Sequence, residues 1–287
     1  MKPPPFVYRR VSSVDEAVAL LANAGDDAKI LAGGQSLVPM LNLRLANPGM
    51  LVDVDRAPLR SVEVVGDEVR LGALVTHRTL ETDPTIASEL PLLALAAAQI
   101  GHPAIRNRGT IGGSLAHADP AAELAMATLA LGARVFVQSA TGSRSIPIDE
   151  FLDGPFMTTL GADEMVTRVD IPRHGDCGVG FEEVAIRAGD FAVAAAATVV
   201  RRKADGGLAD VRIALGGVAG TAIRATEAEE LLEGVLLDDA RLREAAVLAS
   251  RGARPGTDVH GTADYRRSLV VTLVERSVRA AANGGRR

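Results

Sequence analysis

Two glycine pairs in nearly the same setting, separated by about 75 residues, restrict this chain more than any other feature. The first lies in Ala32-Gly33-Gly34-Gln35-Ser36-Leu37, between a predicted strand, Lys29 to Ala32, and an apolar segment from Leu37 to Leu45 that Pro48 and Gly49 close. The second lies in Thr110-Ile111-Gly112-Gly113-Ser114, within a polar stretch from Gly101 to Asp119 read as a loop. Glycine lets a backbone approach another group closely and turn its N–H groups outward, and a helix start just beyond adds unpaired donors and a positive dipole end. Two such segments could grip a diphosphate from two sides. From the residues alone, a tight turn capped by Ser36 explains the first motif equally well. Asp119 also has two readings: a ligand for vicinal sugar hydroxyls, or the N-cap of a helix expected over Pro120 to Leu131.

The usual phosphate fingerprints are missing. No G-x-G-x-x-G stands between a strand and a helix, and no Gly-Lys-Ser or Gly-Lys-Thr occurs, so neither the doubly wound dinucleotide fold nor a P-loop accounts for the pairs. Ser36 and Ser114 lie in no G-x-S-x-G elbow, which argues for phosphate contact over nucleophilic catalysis.

The remaining pattern is α+β. Ser13 and Glu16 form a capping pair for a helix over Val14 to Ala22, Met50 to Val54 is a strand, and the alternation around Gly66-Asp67 is a hairpin. Glu89 to Gln99 reads as one Ala and Leu rich helix, and Arg134 to Gln138, Ser145 to Ile148 and Met165 to Ile171 read as strands. After a Pro and Gly rich break at Pro172 to Gly180 comes a three-stranded meander, Phe181 to Ile186, Ala192 to Arg202 and Leu208 to Leu215. Helices over Thr226 to Glu233, Asp239 to Ala249 and Ala263 to Ala281 follow, with a frayed tail expected from Asn283 to Arg287. At 287 residues, two domains are expected: 1–174, with subdomains of about 1–55 and 56–174, and 175–287.

Composition narrows the function. With no Trp and 3% aromatics the cores must be aliphatic, and a net charge of -5 without a basic stripe argues against nucleic acid. The single cysteine, Cys177, excludes an iron-sulfur cluster held by four thiolates of this chain. No apolar stretch follows the N-terminus and the segment Leu90 to Ile100 is too short to span a bilayer, so the expectation is a cytoplasmic chain without membrane insertion. His77, His102 and His117 match no metal-ligand spacing. Arg106 and Arg108, beside the second motif, either offset phosphate charge or are solvated.

Taken as a pair, Ala32 to Leu37 and Thr110 to Asp119 resemble the FAD-binding medium subunit of the molybdenum hydroxylases, whose members act on carbon monoxide, xanthine, nicotine, caffeine or aldehydes. The likeness runs from Phe6-Val7-Tyr8 through Leu51-Val52-Asp53-Val54 to Leu215-Gly216-Gly217-Val218. It implies a two-subdomain FAD domain of the vanillyl-alcohol-oxidase (PCMH) type followed by a smaller domain with a three-stranded antiparallel sheet and helices. It further implies that Ala32, Gly33, Gly34, Gln35, Ser36 and Leu37 wrap one side of the FAD diphosphate and Thr110, Ile111, Gly112, Gly113 and Ser114 the other. Asp119 would meet ribitol or ribose hydroxyls, and His117, between the second motif and Asp119, is a candidate contact. In the family a residue of the segment matching Arg187-Ala188-Gly189-Asp190-Phe191-Ala192 lies near the flavin ring, which makes Phe191 a candidate. The carbon monoxide dehydrogenase chains resemble this one less at two positions, with Tyr for Phe191 and His for Gln35. The implied partners are a large molybdenum-cofactor subunit and a small [2Fe-2S] subunit, assembled as a dimer of heterotrimers. A stand-alone flavin oxidoreductase and a non-catalytic assembly module remain as competing readings.

Overall fold

Residues 2–284 are described by the structure, a computed structural model; Met1 and residues 285–287, part of the expected frayed tail, lie outside the described residues. The chain opens with β1 (Val7–Arg10), α1 (Val14–Ala24), β2 (Ala28–Leu31), α2 (Leu37–Leu43) and β3 (Met50–Asp53). These strands form a parallel sheet in the order β1-β3-β2. Ser13 caps α1 by accepting the Glu16 N–H, and Ala17, Val18 and Leu21, spaced along one helical face, are buried in the core of this unit. The strand β1, unforeseen because all four residues are exposed, is tied to β3 where Tyr8 and Arg10 donate to the Asp53 carboxylate.

The second unit holds β4 (Val62–Val65), β5 (Glu68–Gly72), α3 (His77–Thr82), α4 (Pro84–Glu89), α5 (Pro91–Gln99), α6 (Pro103–Arg106), α7 (Ile111–His117) and α8 (Glu123–Leu131). It continues with β6 (Arg134–Ser139), β7 (Gly142–Pro147), α9 (Ile148–Phe151), β8 (Leu152–Gly154), β9 (Met157–Thr158) and β10 (Met165–Pro172). Five strands pair antiparallel in the order β4-β5-β10-β6-β7. Three expectations change here. The helix expected over Glu89 to Gln99 starts at Pro91, because Leu90 leaves the helical region at φ -133° and Glu89 instead ends α4. The stretch from Gly101 to Asp119 is not a loop but carries α6 and α7, so the second glycine pair is helical. The next helix starts at Glu123 instead of Pro120.

The third unit comprises β11 (Gly178–Ala185), β12 (Ala192–Arg202), β13 (Leu208–Gly216), β14 (Ile223–Arg224), α10 (Thr226–Leu232), α11 (Asp239–Gly252) and α12 (Ala263–Ala282). Its sheet has a short fourth strand, β14, beyond the three expected. Alternation along β12 buries both faces. Ala194, Ala196 and Val200 join the core under α10, α11 and α12, whereas Ala195, Ala197 and Val199 join the central core with α5 and α8. That central core therefore runs from one half of the chain into the other. Arg266 of α12, buried, reinforces this region by donating to the carbonyls of Val193 (2.6 Å) and Gly217 (3.0 Å) while pairing with Asp258. No helix among the described residues is long and apolar enough to cross a membrane.

Candidate functional site

The two motifs meet. A β-carbon at Gly33 would run into the carbonyl of Arg108 and come within 2.8 Å of the Gly109 Cα, and one at Gly113 would lie 3.8 Å from the Ala32 Cβ. Segments remote in sequence thus touch backbone to backbone, which only glycine permits at position 33.

The motifs do different things at that junction. After β2 the chain turns through Gly34 at φ +73° into α2. The N–H groups of Gly33, Gly34, Gln35, Ser36 and Leu37 have no acceptor among the described residues, and the first protein-bonded donor of the turn is Val38, to the Gly34 carbonyl (3.1 Å). Ser36 makes no side-chain cap bond, which removes the capped-turn explanation. Gln35 folds its amide back onto the Gly33 carbonyl (3.1 Å). A contiguous run of unclaimed donors with a free serine hydroxyl fits a diphosphate, because unpaired donors favour anionic oxygens.

The second motif is nearly saturated, with the Thr110 N–H alone lacking an acceptor among the described residues. Ile111 donates to the Val75 carbonyl (3.0 Å), Gly112 to that of Ala73 (2.9 Å), Gly113 to the Thr110 hydroxyl (3.2 Å) and Ser114 to the Thr110 carbonyl (2.9 Å). Thr110 is the N-cap of α7. The expected second nest of donors is therefore reduced to the Thr110 N–H, since carbonyls of the turn between β5 and α3, and Thr110 itself, take the others. Besides that N–H, this segment offers a ligand the bare face of Gly113 and the Ser114 hydroxyl. Gly112 is needed for packing: a β-carbon there would sit 2.6 Å from that of Ala73.

His77 sits beneath this helix start, a residue declined as a metal ligand and not otherwise foreseen. Its Nε2 lies 3.2 Å from the Thr110 carbonyl, which requires the neutral ring to donate, and its buried Nδ1 has no partner. Burial, then the nearby Arg106 charge, lowers its pKa to about 4 against the opposing bond to Thr110. Arg106 does not face a phosphate; it is buried, bonded to Glu81 (2.9 Å) and to the carbonyls of Ile100 (2.9 Å) and Gly101 (3.0 Å). Arg108 is exposed, and only its carbonyl meets the first motif.

Beyond α7, Ala118 and Phe156 both adopt positive φ, 50° and 57°, joined by the Phe156 N–H to the Ala118 carbonyl (2.9 Å). This brings the half-buried His117 ring within 5.2 Å of the Phe156 ring, and burial lowers the His117 pKa. Asp119 accepts the Ala121 N–H with Oδ1 (2.9 Å) and is not the cap of α8, whose N-cap is Ala122. Phe191 is 67% exposed on the turn between β11 and β12, a turn that leans on the approach to the second motif: a β-carbon at Gly189 would come within 2.9 Å of the Gly101 carbonyl.

Residues 4–174 match the family described as "FAD binding domain in molybdopterin dehydrogenase", and residues 180–281 match "CO dehydrogenase flavoprotein C-terminal domain". Among named relatives, the 6-hydroxypseudooxynicotine dehydrogenase complex subunit alpha of Paenarthrobacter nicotinovorans is 45% identical, covering 100% of this chain and 97% of its own. The carbon monoxide dehydrogenase medium chain of Hydrogenophaga pseudoflava is 38% identical over 98% of each. Among solved structures, a chain of quinoline 2-oxidoreductase from Pseudomonas putida 86 superposes with a TM-score of 0.95 at 40% identity over 100% of both chains.

Proposed function

The chain belongs to the FAD-binding medium subunits of the molybdenum hydroxylases, and on that premise we propose that it collects electrons from [2Fe-2S] clusters of a partner chain and passes them to an external acceptor. It is an oxidoreductase subunit with an FAD-binding domain, and its relatives are medium subunits of multi-subunit enzymes. FAD, when bound, supplies the exchange between single electrons and an electron pair. The protein's own share is to hold, orient and shield.

The open run of donors from Gly33 to Leu37, pressed against the Thr110 helix start, is the observation that carries this reading. Ala32, Gly33, Gly34, Gln35, Ser36 and Leu37 are proposed to take the diphosphate through backbone N–H groups and the Ser36 hydroxyl. Thr110, Ile111, Gly112, Gly113 and Ser114 form the opposing wall, and here Gly113 leaves room while Ser114 adds a hydroxyl. Asp119, whose Oδ2 has no hydrogen-bond partner among the described residues, is proposed to accept from sugar hydroxyls, and His117 to line that stretch. Phe191 is proposed as a wall for the ring. No acid or base catalysis is assigned to this chain. The division into 1–174 and 175–287, the cytoplasmic location and a dimer of heterotrimers with large molybdenum and small [2Fe-2S] chains belong to the same proposal.

The test is the visible spectrum of the purified chain, identification of the released flavin, and rapid mixing with a reduced [2Fe-2S] partner chain. Bound FAD that bleaches on mixing supports the reading. Turnover of an organic substrate by the isolated chain, or a colourless protein after refolding with excess FAD, overturns it.

A further inference from the structure

His77 opens α3, is only 6% exposed, and grips the second motif through both its backbone and its ring. Its N–H donates to the Gly109 carbonyl (2.9 Å), and its Nε2 donates to the Thr110 carbonyl (3.2 Å). The Thr110 carbonyl also accepts the Ser114 N–H (2.9 Å), and Ile111 donates to the Val75 carbonyl (3.0 Å), so consecutive peptide units from Gly109 to Ile111 are tied down. Thr110 forms an antiparallel bridge with Thr76 and is extended there, at φ -126° and ψ 152°. In this bridge the flanking residues make the bonds, and the N–H of the bridging residue points away from its partner. A trans peptide demands the same: the Gly109 carbonyl turns toward His77, so the N–H of that unit, which belongs to Thr110, turns to the opposite side.

The first motif brackets Thr110. A β-carbon on Gly33 would come within 2.8 Å of the Gly109 Cα, and one on Gly113 would lie 3.8 Å from the Ala32 Cβ. The start of α3 occupies one flank of Thr110, and the other is left to the open turn from Gly33 to Leu37. The imidazole fits its place closely. A β-carbon on Gly109 would lie 2.6 Å from the His77 Cε1 and 2.7 Å from Nδ1, so the ring lies against bare backbone. A carbonyl can only accept, so Nε2 carries a proton. Burial, then the Arg106 charge, lowers the pKa to about 4, so at neutral pH the buried Nδ1, which has no partner, carries none. A side chain at this position must therefore fill an apolar space and also donate one hydrogen bond.

We propose that His77 is a positioning residue for the flavin: it holds the Gly109–Thr110 peptide so that the Thr110 N–H faces the Gly33 to Leu37 turn and joins the donors that receive the diphosphate. This role rests on the assignment of that turn to FAD. Without the ring donor, the Thr110 carbonyl keeps only its bond to Ser114, and the orientation of the preceding N–H is no longer fixed from the α3 side. One bond to a charged acceptor is worth about 10- to 100-fold in affinity. A part confined to folding would instead lower the melting temperature and leave the affinity of the folded chain unchanged.

The test titrates the full chain, stripped of flavin, with FAD at pH 7 and follows flavin fluorescence, for wild type, His77→Leu and His77→Gln, each beside its thermal melt. His77→Leu, which fills the space without donating, should bind FAD about 10- to 100-fold more weakly. His77→Gln, whose amide can donate to the same carbonyl, should stay within about threefold of wild type, whatever the change in melting temperature. An affinity of His77→Leu within threefold of wild type, or of His77→Gln as low as that of His77→Leu, overturns the role. Should the variants not fold, nitrogen-15 spectra of the wild type decide. The His77 ring should carry its proton on Nε2, and the Thr110 amide proton should move downfield on addition of FAD; a proton on Nδ1 instead, or an unmoved Thr110 amide, overturns the role. A wild type that binds no FAD overturns the proposed function and this role with it, whereas variants that match a flavin-binding wild type remove only the role of His77.

Discussion

Replacing Gly113 by Leu separates a fold role from a binding role at the glycine junction. The new side chain would leave α7 toward Ala32, whose Cβ is 3.8 Å from the added β-carbon, and would fill the gap between the two motifs. The cost to the fold is small. The added β-carbon falls 2.8 Å from the Thr110 hydroxyl, so the cap bond is strained at a cost of about 1 kcal/mol, while exchanging a helical glycine for leucine returns up to about 1 kcal/mol. Stability should therefore move by no more than about 1 kcal/mol. Binding has no such compensation. A diphosphate displaced from the Gly33 to Leu37 donors loses at least two bonds to a charged acceptor, each worth about 1.5–3 kcal/mol, or together more than about 100-fold in affinity. Titration of the flavin-stripped variant with FAD, beside its thermal melt, checks both halves. An affinity within about threefold of wild type, at unchanged stability, would refute the placement of the diphosphate.

The other substitutions probe neighbouring parts of the site. Gly33→Ala should lower the melting temperature and the flavin content together, because its β-carbon meets the Arg108 backbone, and such overpacking costs about 1–3 kcal/mol that no rotamer change relieves. His77, lowered from 6.5 to about 4, contributes stability that is present above pH 6.5 and lost as pH falls through 4, about 3 kcal/mol in all. His77→Gln should accordingly lose less stability than wild type between pH 7 and 4.5 in paired denaturant melts, and equal losses would show that the ring is not neutral in the fold. Phe191→Ala should leave stability within about 0.5 kcal/mol, since the side chain is 67% exposed, but should shift the flavin absorbance and slow reduction by a [2Fe-2S] partner. Unchanged spectrum and rate would remove Phe191 from the ring site.

Local chemistry was legible where the partner of a residue lies close in sequence. Ser13 capping α1, the Gly66 turn of the β4-β5 hairpin and the apolar α8 all follow from neighbours within a few positions. The strand β1 was not legible, because it is exposed along its length and owes its place to an Asp53 carboxylate on a strand paired from far along the chain. The same distinction divides the two glycine motifs. As sequence they are near copies, each a glycine pair beside a hydroxyl residue, and they invite one interpretation. As structure they differ because Ala73 and Val75 supply carbonyls to Gly112 and Ile111, while no described residue supplies one to Gly33, Gly34, Gln35, Ser36 or Leu37. The hydroxyls divide likewise: Thr110 precedes its glycines and caps α7, whereas Ser36 follows its own and stays free. An anion site in this fold is thus specified less by where glycines stand than by which donors the rest of the chain leaves unclaimed, and the saturated α7 serves as the rigid wall against which the open turn is held.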